Sequence, residues 1–197
     1  MPVEALSGFN WVDVLLAAIC IRTVYVGVKN GFVVEMFKTL GVLFAVFVTL
    51  HYYGGMSKFI QEKTHLPQGI TDAVIFGILW ALVVVIFKFV RDGFTVLFRV
   101  EAHSLLDRWG GLAVCVFRAA LLCSMAVLLL RALSSDYLTK NLQKSLTAPK
   151  LVWLSPRVYE ACYDNFVSKF FPNETLNKSV FTLTDLNVEE KNEKKKK

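Results

Sequence analysis

"GVKNGFVVEMFKTLG", residues 27–41, joins two strongly apolar stretches yet carries Lys29, Glu35 and Lys38. Asn30-Gly31 is a tight-turn pair, so the runs on either side read as an antiparallel pair of helices. Glu35 and Lys38 are three residues apart and neighbours on one face of the second helix. That face continues through Gly41, Ala45 and Thr49. Gly41 and Ala45 make a small-xxx-small pattern that lets another helix approach closely. If the flanking runs cross a bilayer, an acid and a base begin the second span on its packing face.

Composition supports spanning. Of 197 residues, 55% are hydrophobic and 19% charged, and mean hydropathy is +0.49. A soluble domain holds roughly 45–50% apolar and about 25% charged residues. The excess falls in four blocks, residues 11–28, 32–53, 71–90 and 109–131. Each approaches the roughly 20 residues a helix needs to cross the hydrocarbon core. The expected fold is all-α, a four-helix transmembrane bundle over residues 1–133. The first block has no Lys or Arg before it and reads as a retained helix, not a cleaved signal. The "LLAAIC" that ends at Cys20 within it only faintly resembles a lipoprotein cleavage site.

Punctuation places the remaining boundaries. Gly54-Gly55 is expected to close the second helix, and Pro67 with Gly69 to precede a helix starting at Thr71-Asp72. After the third span, Phe94, Leu97 and Phe98 at helical spacing predict an amphipathic extension. Ser104 with Asp107 fits a capping pattern, so the fourth helix is expected to start near Leu105. Residues 134–197 form a polar extension. It contains an amphipathic helix over 156–171, with Ser155 as N-cap and Pro156 at the first helical position. Tyr159, Tyr163, Phe166 and Phe170 form a stripe on it, read as core packing or interfacial docking, with a partner site as the alternative. The charged stretch 185–197 reads as a disordered basic tail.

Ionisable residues inside or bordering the spans are Asp13, Arg22, Glu35, Lys38, Asp107 and Arg118. Charge at the bilayer centre costs about 2.5–3.5 kcal/mol on insertion scales, so such groups normally face the bundle interior and pair. Asp13 and Arg22 are nine residues apart, on opposite sides of their helix, and need other partners. Asp107, Gly111, Val114 and Arg118 share one face of the fourth helix. Arg118 and Glu35 are both recessed on small-residue faces, and we expect them to pair. Asp13, Lys38 and Asp107 lie near span ends, where headgroups or water are an equal alternative; Lys29 and Lys88 snorkel.

Catalytic patterns are lacking. Cys20, Cys115, Cys123 and Cys162 show no metal spacing, and His51, His65 and His103 stand apart, so no disulfide, metal or cofactor is expected. The net charge of +6 leans on the terminal "KKKK", and no aromatic–basic RNA motif accompanies it. The expected partner is the lipid bilayer, not nucleic acid.

Three segments resemble the colicin V production protein (CvpA) family of bacterial inner-membrane proteins. They are "WVDVLLAAI", the stretch from Gly27 to Tyr53, and "LLDRWGGLAVCVFRAALLCSMAVLLL". The likeness runs from about residue 10 to 131. By position it carries over to Asp13, Gly27, Gly31, Phe32, Glu35, Asp107, Arg108, Gly110, Gly111 and Arg118. Lys29-Asn30 departs from the more usual arginine before glycine, and the extension is longer than a minimal member needs. The resemblance implies a membrane protein needed for export of a peptide toxin or, more broadly, for envelope homeostasis. The lack of a catalytic constellation and the docking-type surfaces make a non-enzymatic accessory or scaffold the expected role. The alternative is a small oligomeric transporter or channel subunit with a path lined by Asp13, Glu35 and Arg118. A homo-oligomer or an envelope protein partner is expected. Four spans put both termini on one side, and loop charge favours the outside.

Overall fold

In the computed structural model the apolar blocks become four long helices: α1 Trp11–Val28, α2 Phe32–Gln61, α3 Gln68–Leu97 and α4 Leu105–Ala132. The structure describes residues 10–29, 32–63, 67–97, 105–171 and 174–185, without the side chains of 68, 94–97 and 105–108. All four are long and apolar enough to cross a membrane, and among the described residues there is no strand.

Two boundaries differ from expectation. α2 runs through Gly54-Gly55 to Gln61 without a break. Glycine in a helix interior costs only about 1 kcal/mol against alanine. Here Gly54 admits Asn177, whose Nδ2 would lie 3.2 Å from an added Cβ. That amide donates to the Leu50 carbonyl at 2.8 Å. α3 starts one turn earlier than Thr71, because the Pro67 carbonyl accepts from the Ile70 and Thr71 amides. Gly69 therefore lies inside the first turn, where an added Cβ would sit 2.8 Å from the Leu133 carbonyl oxygen.

The helices consecutive across Asn30-Gly31 are not packed along their length. α4 packs against both α1 and α2, and α3 packs chiefly on α2. The core between them includes Leu16, Val46, Leu50, Phe76, Leu121 and Met125. The turn itself, with Gly31, lies outside the described residues, as do Ser104 and the 186–197 tail. α3 continues as helix to Leu97, but the side chains that would make its extension amphipathic are among those not described.

Ser134 takes a left-handed backbone (φ 48°) and ends α4. Beyond it are more helices than expected: α5 Asp136–Lys144, α6 Ala148–Leu151, α7 Leu154–Cys162, α8 Ser168–Phe170 and α9 Ser179–Thr184. A π-helical turn, Tyr163–Val167, joins α7 to α8. α7 begins at Leu154, so Ser155 is not its N-cap. Instead the Ser155 amide donates to Ser124 Oγ at 2.9 Å, fixing the segment to α4. The π turn also breaks the aromatic stripe, since its wider winding shifts every later side chain around the axis. Tyr159 is fully buried, whereas Phe166 and Phe170 are 65% and 73% exposed. Tyr163 is half-buried.

Candidate functional site

The buried charges fall into two layers. In the first, α2 presents Glu35 and Lys38 one turn apart, and α4 presents Cys115 and Arg118 in the same way. Glu35 is fully buried. Its Oε2 lies 2.8 Å from Arg118 Nη2, and its Oε1 2.7 Å from Lys38 Nζ. The pair expected between α2 and α4 is thus formed, with Lys38 added from the same helix. Arg118 also reaches Cys115 Sγ at 3.7 Å, and the Cys115 thiol donates to the Thr23 carbonyl at 3.1 Å. Three helices meet here because α1 carries Gly27. An added Cβ there would lie 2.0 Å from Cys115 Sγ, a distance no side chain can occupy. Gly41 similarly faces Phe87, and Gly110 faces Phe32, each with 3.0 Å to an added Cβ. Gly111 is buried.

The second layer forms where α1 begins. Asp13 is buried and is not held by a cation. Its Oδ1 accepts from Thr147 Oγ1 at 2.6 Å, Ser145 Oγ at 2.7 Å and the Thr147 amide at 3.2 Å. Its Oδ2 accepts from the Leu146 amide at 3.3 Å. The neighbouring Asn10 amide group donates to the Asn141 carbonyl at 2.6 Å. Asp13 therefore anchors the α5–α6 connection to the bundle, a role its own helix does not announce. Arg22 is exposed on α1, long enough to reach the headgroups. Asp107 lies in the first turn of α4, with its side chain outside the described residues.

A third polar group joins α2 to the extension. His51, isolated in the sequence, has Nδ1 2.9 Å from Tyr159 Oη and Nε2 3.2 Å from Glu174 Oε2. Tyr159 Oη also accepts from the Asn177 amide at 3.1 Å. Among the described residues no three His, Cys, Asp or Glu side chains gather as a metal site, and all four cysteines are free.

The two layers lie well apart along α1. Asp13 lies 14 residues from Gly27 along α1, about 21 Å at 1.5 Å per residue. The core between holds Leu16, Val42, Val46, Leu121 and Cys123.

The profile of the colicin V production protein family matches residues 12–156. The chain belongs to that family. The match extends past the four spans through α5 and α6 to the start of α7, so the segment that holds Asp13 lies within the family region. Neither the curated proteins nor the solved structures yield a match. With four helices of spanning length, this member of the colicin V production family is a multi-pass membrane protein.

Proposed function

We propose that this protein is a non-enzymatic accessory or scaffold of the bacterial inner membrane, serving envelope homeostasis or export of a peptide toxin. The observation that carries this reading is the use of its buried charges. Glu35 is engaged by Lys38 and Arg118, and Asp13 by donors of residues 145–147. Each group ties elements together, and an apolar core separates the layers. Charges arranged this way specify how a bundle assembles, one of the established uses of buried ionic groups. Loop charge, with Lys29, Lys88 and Arg91 at one end of the bundle, favours both termini outside. The partner sought is an envelope protein.

Two measurements on the full-length protein test this. In liposomes, proton and solute flux stays at the level of empty vesicles. In cells, crosslinking recovers the same envelope protein reproducibly. Flux that disappears in Glu35→Ala, while the folded variant still reconstitutes, would establish the transporter reading instead.

A further inference from the structure

With the four apolar stretches taken as the spans, contacts along α2 put α7 level with their middle. Phe44 of α2 stacks on Phe87 of α3 with centroids 5.1 Å apart, and Tyr53 meets Phe76 at 5.8 Å. Within the α3 span Gly69–Gly93, Phe87 is six residues from one end and Phe76 seven from the other. The stretch of α2 between Phe44 and Tyr53 therefore lies at the middle of the apolar thickness. That is where α7 docks. Tyr159 contacts Phe47, with centroids 5.4 Å apart, and bonds to His51. On α4, Ser155 is held by Ser124, eight residues inside the end of that span. An apolar groove of about 370 Å³ between Leu40, Phe44 and Phe47 of α2 and Cys162, Phe166 and Val167 keeps the following turn at similar depth.

The outer face of this helix is wrong for lipid. Arg157, Glu160, Ala161 and Asp164 follow i, i+3, i+4 and i+7 and are all exposed. The headgroups begin roughly 15 Å from the bilayer centre, farther than a glutamate or aspartate side chain extends. Charged groups at such depth face protein or water, not hydrocarbon. Of its three charges, Arg157 and Asp164 complement each other between copies, and Glu160 stands one turn from Arg157 on the same helix. Turned antiparallel about an axis near Glu160 and Ala161, two copies bring each Arg157 to the other's Asp164. This is the self-matching arrangement a two-fold interface requires. Ala161 at the centre lets the helices approach closely.

We propose that two copies of this chain pair within the membrane across the Arg157–Asp164 stripe of α7 and the π turn, with Arg157 of each meeting Asp164 of the other. The pairing does not depend on the scaffold reading: a transporter would need the same covered face, and a scaffold without it would still bind its partner.

The test is oxidative crosslinking of the full-length chain in membranes, with Ala161→Cys in a Cys162→Ala background. The expected result is a covalent dimer, with Ile78→Cys on the outer face of α3 yielding none. Arg157→Asp alone and Asp164→Arg alone each lower the dimer yield at least fivefold, and the two together restore it to within twofold. Absence of the Ala161→Cys dimer overturns the pairing, and labelling of that thiol by a membrane-impermeant maleimide would show water there instead. Dimer yield unchanged by either charge reversal also overturns it.

Discussion

Asp13 and Glu35 are both buried carboxylates near the ends of spans, yet they are compensated in opposite ways. Glu35 sits between two cations on α2 and α4. Asp13 takes hydroxyl and amide donors from a connection more than 130 residues away. Breaking a buried ion pair strands a charge and costs about 3–5 kcal/mol. Removing a carboxylate held only by neutral donors leaves no stranded charge and costs about 1–3 kcal/mol, less where water can re-enter. The first layer therefore holds the bundle together, and the second holds the extension to the bundle.

The contrast is open to attack by mutation. The largest effect is expected from Glu35→Ala, which strands Arg118 and Lys38: a loss of about 3–5 kcal/mol, read as collapse of membrane-inserted protein on immunoblots. Gly27→Val follows. It drives a side chain into Cys115, and overpacking of this kind costs about 1–3 kcal/mol or more; the thermal midpoint in detergent should fall sharply. Asp13→Ala should cost about 1–3 kcal/mol, and its damage should be local. Proteolysis near residues 145–147 should accelerate while the four spans stay protected. If Asp13→Ala lowers bundle stability as far as Glu35→Ala does, the division between the layers is wrong. The smallest effect belongs to Asn177→Ala, about 1 kcal/mol for a neutral hydrogen bond, seen as faster hydrogen exchange in α9.

Helical period and burial cost made much of this legible in advance. Four apolar blocks mark the four long helices, and α1 covers residues 11–28. Glu35 and Arg118 were readable as partners because depth demands compensation and both share faces with small residues. What escaped has physical reasons. The donors to Asp13 are uncharged and remote, so nothing in the charge pattern marks Ser145 or Thr147. Gly54-Gly55 looks like a helix stop, but there glycine makes room for Asn177. The aromatic stripe of 159–170 assumed one helical period throughout, which the π turn interrupts. Likewise, α4 lying against both α1 and α2 depends on Cys115 fitting over Gly27, a contact between residues 88 positions apart.

The central claim is that the buried charges hold the helices together, and a double-mutant cycle on Glu35 and Arg118 tests it most directly. Unfolding of Glu35→Met, Arg118→Met and the double variant would be measured in one detergent. The account predicts that each single change is severe and the pair together milder than either, a coupling of at least about 2 kcal/mol. Additivity of the two changes to within about 0.5 kcal/mol would contradict it.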